Sequence, residues 1–110
     1  MNTNDNDVIL NYFNSWKNKD SSRLSQLLDE NITLTDWENK IQGSKNVMNF
    51  NNLFFENVDV IELEILDISI ENKVAFAHLR IVIDGEELQV VDKIVLSETN
   101  QIINIHAFKC

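Results

Sequence analysis

The spacing of apolar residues changes at Val58 from a mostly helical to a sustained strand-like period, and this change constrains the fold more than any other feature. Before Val58, apolar side chains recur mostly at the i, i+3, i+4, i+7 spacing of an amphipathic helix. After it, apolar and polar residues alternate with the period of two that is typical of half-buried strands. Helices followed by a run of strands predict an α+β protein.

The segment before Val58 predicts three helices. Any of the polar residues 5–7 can cap the first helix. Asp20 or Ser21 can cap a short second helix, and Ser44 can cap the third. Each helix carries apolar residues on the side that would face a core. These residues are Ile9, Tyr12, Phe13 and Trp16 in the first helix, Leu24, Leu27 and Leu28 in the second, and Val47, Met48, Phe50, Phe54 and Phe55 in the third.

Five strands are predicted, and four of them form an antiparallel meander after Val58. The other strand, Ile32 to Trp37, follows a turn at residues 29–31 and precedes the third helix. Asp84-Gly85 predicts a tight hairpin, because such turns need positive φ angles. The element order is therefore α-α-β-α-β-β-β-β. The strands of the meander are roughly Val60 to Ile70, Val74 to Ile83, Leu88 to Leu96 and Ile102 to Phe108.

Alternation along the meander assigns its side chains to two faces of the sheet. The face expected to pack on the helices carries Ala75, Ala77, Leu79, Ile81 and Ile83 from one strand and Ile103, Ile105 and Ala107 from the last. The opposite face is apolar but dotted with polar groups, which is typical of a surface that associates with a second copy of the chain. We therefore expect a homodimer through this outer face. Its residues include Phe76, His78, Arg80, His106 and Phe108.

Length and charge restrict the class of protein further. A chain of 110 residues is long enough for one domain, expected to span residues 1–110 with a loose tail over residues 1–7. The net charge of −9 argues against nucleic acid as a partner, because phosphates would be repelled. Neither a signal peptide nor an apolar run long enough for a membrane span is apparent, so we expect a cytoplasmic protein with no membrane partner. The single cysteine, Cys110, cannot form an internal disulfide.

Four stretches of the sequence have a characteristic order and spacing. They are Asn11-Tyr12-Phe13 through Asp20, Ile32 to Trp37, Ile41-Gln42-Gly43-Ser44, and Val90 to Ile94. Together they resemble the SnoaL-like and ketosteroid-isomerase-like branch of the nuclear transport factor 2 (NTF2)-like superfamily, and the resemblance covers Val8 to Phe108. It implies an NTF2-like cone, in which a curved antiparallel sheet and its helices enclose an apolar pocket.

The resemblance also implies three catalytic positions. In the isomerases of this superfamily, a tyrosine and a protonated aspartic acid form an oxyanion hole, and a second aspartate transfers the proton. Tyr12 matches the tyrosine, Asp92 the protonated acid and Asp36 the base. Independently of the family, an Asp92 carboxyl group buried beside Val90 and Ile94 would be kept neutral by desolvation, and a neutral carboxyl group can donate a hydrogen bond.

Each of these residues also has a purely structural interpretation. Asp36 follows a strand, where aspartate is common in turns. Asp92 could instead form a structural hydrogen bond with Tyr12 or Trp16, and Tyr12 fits its helix whatever its hydroxyl group does. The residues expected to line a ligand pocket are equally compatible with a plain core. They are Trp16, Trp37, Phe50, Phe54 and Ile105.

The sequence departs from the isomerase pattern in the groups that support the oxyanion hole. Where those enzymes place a further tyrosine on the third helix, the aligned residue here is Asn51, and a second supporting position is Leu28. The loop between Asp36 and Gly43 also looks shorter. A thinner hydrogen-bond network argues against steroid isomerisation, although not against a pocket.

Other chemistries find little support in the sequence. His78 and His106 lack the spacing of metal ligands, and no glycine-rich loop for phosphate is present, so neither a metal nor another cofactor is expected. We predict a protein that binds a small hydrophobic ligand in an apolar pocket. The alternative is an isomerase or lyase that enolises an apolar carbonyl compound, with Asp36 as base and Tyr12 and Asp92 as hydrogen-bond donors.

Overall fold

Three helices and six strands make up the structure, a computed structural model that describes residues 4–110. The helices are α1 (Asp5–Lys17), α2 (Ser21–Leu27) and α3 (Ser44–Asn57). The strands are β1 (Leu28–Thr35), β2 (Lys40–Gln42), β3 (Ile61–Glu71), β4 (Val74–Ile83), β5 (Glu86–Leu96) and β6 (Ile102–Lys109). The predicted α+β class is confirmed. The short strand β2, which the sequence pattern does not predict, is the one additional element.

The start of α1 differs from the prediction. Asn4 caps this helix, because its Oδ1 accepts a hydrogen bond from the backbone N–H of Asp7 at 2.9 Å. Residues 5–7 belong to the helix itself. The prediction that one of residues 5–7 caps the helix is therefore wrong. The prediction of a loose tail is wrong for the same three residues. Residues 1–3 of the expected tail lie outside the described residues.

The other two helices begin where the sequence indicates, but only one has a side-chain cap. A carboxylate oxygen of Asp20 accepts a hydrogen bond from the backbone N–H of Arg23 at 3.1 Å and caps α2. Ser44 is the first residue of α3 rather than its cap, which is Gly43, so that prediction is wrong. Gly43 has a φ of 91°, which glycine adopts without steric strain, and this allows the chain to turn from β2 into α3.

The six strands form one mixed sheet in the order β2-β1-β6-β5-β4-β3. The meander is antiparallel as predicted, but β1 pairs with β6 in parallel, so the expectation of a purely antiparallel sheet is wrong at this ladder. This pairing can form because the chain from β1 to β6 is long and includes α3 and four strands. β1 also begins earlier than predicted, at Leu28. Residues 29–31, expected to form a turn, lie in a stretch of irregular register between Leu28 and Thr33.

A second irregularity changes which residues of β6 face the helices. The β5–β6 ladder shifts register between Val95 and Leu96. As a result Ile102 lies in the core and Ile103 does not, so the assignment of Ile103 to the helix-covered face is wrong. Ile105, beyond the irregularity, is buried in the core as predicted. Such irregularities bend strands, which helps a sheet to curve around its helices.

The core lies between the helices and one face of the sheet. The alternating residues of β4 from Ala75 to Ile81 are buried there, as the period of two predicts. The hairpin at Asp84-Gly85 is also confirmed, with φ angles of 49° and 88° at its two residues. Within residues 4–110, no helix is long and apolar enough to cross a membrane.

Candidate functional site

A cavity of about 240 Å³ opens between α1, α3 and the inner face of the sheet. Most of its wall is apolar, and a few side chains bring polar groups into it, which is the usual composition of a small-molecule site. Part of this wall comes from sheet residues whose individual positions the sequence pattern did not assign to a pocket. They include Leu34, Leu63, Leu79, Ile81, Leu88 and Val90.

All five residues expected to line a pocket lie on this wall, namely Trp16, Trp37, Phe50, Phe54 and Ile105. Trp16 stacks on Phe54 with ring centroids 5.4 Å apart, and this contact packs α1 against α3. Trp37 is 47% exposed, and the Lys109 ammonium group lies 5.8 Å from the centroid of its ring. Because Trp37 belongs to both the cavity wall and the protein surface, it marks an opening of the cavity.

Asp92 lies on the inner face of β5, as strand parity predicts. It lines the cavity, and only 8% of it is exposed. The residues paired with it on the two neighbouring strands are Ala77 of β4 and Ala107 of β6. Because alanine side chains are small, they leave space beside the carboxyl group that larger neighbours would fill.

Within residues 4–110, the Asp92 carboxyl group takes part in no hydrogen bond. The interpretation of Asp92 as a structural hydrogen-bond partner of Tyr12 or Trp16 is therefore not supported. In the same range, every side-chain nitrogen or oxygen atom that is inaccessible to solvent has a hydrogen-bond partner. Because the carboxyl oxygens of Asp92 have none, they must be accessible from the open space of the cavity. Burial raises the pKa of Asp92 from 3.8 to about 7, because apolar surroundings disfavour the carboxylate. At lower pH the group is a neutral hydrogen-bond donor.

Tyr12 brings its side chain to the same cavity from α1. It is buried, and its ring packs edge-on against Phe13 with centroids 5.4 Å apart. Burial, and to a smaller extent the negative charge of Asp92, raises the pKa of Tyr12, so the hydroxyl group keeps its proton. This hydroxyl group also lacks a hydrogen-bond partner in the described part of the chain. Tyr12 and Asp92 thus supply two unpaired donors to one cavity.

Asp36 lines the cavity as well, but its carboxylate already organises a turn. Its Oδ1 accepts hydrogen bonds from the backbone N–H groups of Glu38 at 2.8 Å and Asn39 at 2.7 Å. The side-chain amide of Asn39 lies 3.2 Å from Oδ1 and 3.3 Å from Oδ2. The turn interpretation is therefore correct, and Oδ2 is the less engaged oxygen. A role as catalytic base stays a prediction.

Asn51 is a polar residue of the cavity that the sequence analysis did not include among the site residues. Its side chain lines the cavity and is 4% exposed. It occupies the middle of the buried face of α3, between Val47 and Phe55. A signal for it was present in the sequence, because an asparagine four residues from an apolar residue on either side interrupts an apolar stripe.

The outer face of the meander carries the residues expected to form a dimer interface. Phe76 is 49% and Phe108 47% exposed, and the ring of His106 stacks on Phe108 with centroids 4.1 Å apart. Nε2 of His78 lies 2.9 Å from Oε1 of Gln89. Arg80 forms salt bridges with Glu87 and Glu64 across the sheet. The exposed rings of Phe76 and Phe108, on the same face as the Arg80 salt bridges, are compatible with self-association. The homodimer stays a prediction.

A larger groove of about 970 Å³ lies at the other end of α1, against the β3–β4 and β5–β6 turns. Its wall is mostly polar, and the ammonium group of Lys73 within it pairs with Asp5 at 3.0 Å and with the side chain of Asn100. This groove lacks the apolar wall of the first cavity. Among residues 4–110, no group of three or more His, Cys, Asp or Glu side chains is placed to hold a metal ion.

Comparison with known proteins identifies a family and a fold. Residues 9–101 match the family model of the SnoaL-like domain. No curated protein sequence matches the chain significantly. Among solved structures, an NTF2-like protein of unknown function from Cytophaga hutchinsonii superposes with a TM-score of 0.86 at 14% identity, covering 100% of this chain and 93% of its own.

Two further solved structures carry provisional activity names. One, from Kribbella flavida, is provisionally named a ketosteroid isomerase, with a TM-score of 0.83, 15% identity, and coverage of 94% of this chain and 75% of its own. The other, from a Jannaschia species, is provisionally named a SnoaL-like polyketide cyclase, with a TM-score of 0.82, 14% identity, and coverage of 96% and 84%. At such identities these likenesses show the fold alone. The likeness to the solved structures shows an NTF2-like fold. The match to the family model extends over most of the sequence, and the chain therefore belongs to the SnoaL-like domain family.

Proposed function

We propose that the cavity binds a small, mostly apolar molecule through a carbonyl oxygen that accepts hydrogen bonds from Tyr12 and neutral Asp92. The observation that carries the proposal is the Asp92 carboxyl group, which is 8% exposed, lines an apolar cavity and has no hydrogen-bond partner in residues 4–110. A ligand oxygen that accepts a hydrogen bond from this group would gain about 0.5–1.5 kcal/mol of binding free energy.

The size of the cavity limits the ligand. Its volume of about 240 Å³ corresponds to roughly eight water-sized groups of about 30 Å³ each. We therefore expect the enclosed part of the ligand to have roughly eight to ten non-hydrogen atoms. The apolar wall favours a hydrocarbon or aromatic body, and the two donors favour one polar acceptor on it.

Acetophenone and α-methylstyrene form a matched pair of probes, because they differ only in a carbonyl oxygen against a methylene group. Titration calorimetry at about pH 6, below the Asp92 pKa of about 7, should show acetophenone binding about fivefold or more tightly. Asp92→Leu should reduce this difference, because leucine fills a similar volume without donating and leaves Tyr12 as the single donor. Equal affinity of the wild type for the two probes, or a preference that Asp92→Leu leaves undiminished, would contradict the proposal.

Enolisation is a second candidate, favoured by the presence of Asp36 on the same cavity wall as Tyr12 and Asp92. In this reaction a carboxylate oxygen removes a proton from the carbon next to the carbonyl group, and the electron pair of that C–H bond moves to form the enolate. Tyr12 and Asp92 would stabilise the charge that develops on the oxygen. Return of the proton to another carbon completes an isomerisation.

Exchange of the methyl protons of acetophenone in D₂O, followed by NMR, tests this step. Catalysis by Asp36 predicts exchange faster than in buffer alone and a loss of that acceleration in Asp36→Asn, whose binding of acetophenone should persist. Binding without accelerated exchange would reject acetophenone enolisation and leave the binding proposal standing.

A further inference from the structure

We infer that Asn51 binds a second polar group of the ligand, so that the preferred ligand is a small carbonyl compound with a hydroxyl group. This inference rests on the proposed function, because it requires a carbonyl ligand held by Tyr12 and Asp92. It extends that function by naming the chemistry of the rest of the ligand and the residue that selects it.

The burial of Asn51 is the first observation. The residue is 4% exposed and lines the same cavity as Tyr12 and Asp92. It lies in the middle of the buried face of α3, one helical turn from Val47 and one from Phe55. A leucine at this position would continue the apolar stripe, so the amide is placed where an apolar side chain would serve packing better.

The second observation is the absence of a partner for this amide. Within the described residues 4–110, the Asn51 side chain takes part in no hydrogen bond. Three other asparagines of α3 have partners. Asn46 donates to the Gln42 carbonyl at 2.9 Å, Asn57 donates to the Leu53 carbonyl at 2.7 Å, and Asn52 accepts from the Ser21 hydroxyl at 2.6 Å. Asn51 differs from these three asparagines because its side chain lines the cavity and has no hydrogen-bond partner among residues 4–110.

The chemistry of the three polar groups indicates the ligand. Tyr12 and neutral Asp92 both donate, and two donors suit one carbonyl oxygen. The Asn51 amide offers an acceptor oxygen together with an N–H donor, which matches a hydroxyl group because a hydroxyl group also donates and accepts. The amide does not titrate, so this contact is independent of the protonation of Asp92. A hydrocarbon ligand would leave the amide unpaired in an apolar cavity.

The three hydroxyacetophenone isomers, each compared with the methylacetophenone of the same substitution, provide the test. At least one hydroxy isomer should bind the wild type about fivefold or more tightly than its methyl counterpart, measured by calorimetry at about pH 6. Asn51→Leu should abolish this hydroxyl preference and keep the preference for acetophenone over α-methylstyrene. Asn49→Leu, which changes an exposed asparagine of the same helix, should alter neither preference.

The outcomes separate this inference from the proposed function. If acetophenone gains nothing over α-methylstyrene in the wild type, the proposed function fails, and this inference fails with it. If that preference is present but no hydroxy isomer is preferred, or the hydroxyl preference survives in Asn51→Leu, only the assignment of Asn51 is overturned.

An NMR measurement on the wild-type protein tests the same contact without a variant. The side-chain NH₂ resonances of Asn51 should move more with the preferred hydroxy probe than with its methyl counterpart, and equal shifts would contradict the contact.

Discussion

Tyr12 on α1 and Asp92 on β5 share one apolar cavity, and the charge of Asp92 contributes to the raised pKa of Tyr12. Neither side chain is hydrogen-bonded to another residue in the described range 4–110. The fold thus brings two distant parts of the sequence together without satisfying their polar groups. An acceptor from outside the chain would satisfy both.

The first prediction concerns the pH dependence of stability. The pKa of Asp92 is 3.8 in its unperturbed state and about 7 in the fold, so the folded protein binds more protons than the unfolded chain between these values. Stability should therefore fall as pH rises from about 4 to about 7, by at most about 4 kcal/mol from this group. Asp92→Asn removes the titration. Urea unfolding should show the variant gaining stability relative to wild type across this window, and a constant difference would contradict the assignment.

The second prediction concerns the pH dependence of binding. Above the pKa of about 7, Asp92 becomes a carboxylate that can only accept hydrogen bonds and repels a carbonyl oxygen. The preference of the wild type for acetophenone over α-methylstyrene should decline between about pH 6 and about pH 8.5. Asp92→Asn carries an amide donor that does not titrate, so its preference should persist at the higher pH. A parallel decline in the variant would show that another group is responsible.

The third prediction concerns the space beside Asp92. Ala107 pairs with Asp92 across the β5–β6 ladder and lines the cavity. Ala107→Leu should fill part of the cavity and weaken acetophenone binding about tenfold or more, while the chain remains folded. Ala107→Ser is the matched control, because serine is nearly as small as alanine. Undiminished binding in the leucine variant would place the ligand elsewhere, and circular dichroism checks that both variants are folded.

The fourth prediction separates the two roles of Asp36. Asp36→Ala should lower the free energy of unfolding by about 1–2 kcal/mol, because the N–H groups of Glu38 and Asn39 lose their acceptor. Asp36→Asn keeps an acceptor oxygen and should lose much less, as urea unfolding would measure. If acetophenone exchange is accelerated by Asp36, only the asparagine variant combines near-normal stability with lost acceleration. Equal destabilisation by both changes would contradict the assigned turn contacts.

The fifth prediction concerns the outer face of the sheet. Phe76 and Phe108 are both nearly half exposed, and the dimer expectation places them in an interface. Light scattering should give the wild type about twice the chain mass of 12.8 kDa and the double variant Phe76→Glu, Phe108→Glu a single chain mass. Leu53→Glu, at an exposed site on α3, should leave the mass unchanged. A wild-type protein with a single chain mass at micromolar concentration would contradict the dimer.

Local patterns predicted a large part of the fold and the central residues of the site. β4 has the predicted bounds, Val74–Ile83, because alternation needs only neighbouring residues to be read. The same parity places Asp92 inward beside Val90 and Ile94. The turn at Asp84-Gly85 was equally predictable, since its positive φ angles suit those two residue types.

Features that depend on non-local packing were not predictable in the same way. The parallel pairing of β1 with β6 depends on where the meander returns to the first strand, and no local period contains that information. Ile102 rather than Ile103 lies in the core because the register of β6 shifts against β5. The cap at Asn4 was missed because several neighbouring polar residues fit a cap equally well by type.

The amino-acid sequence by itself determined the α+β class, the strand meander, and the inward position of an aspartate in an apolar strand, because each of these follows from the period of neighbouring side chains. Only the tertiary structure decided that Ala77 and Ala107 flank Asp92 and that Asn51 reaches the same cavity without a hydrogen-bond partner among residues 4–110. The reason is physical. A cavity is the space that side chains from several elements leave unfilled, and that space exists only once the helices have packed against the sheet.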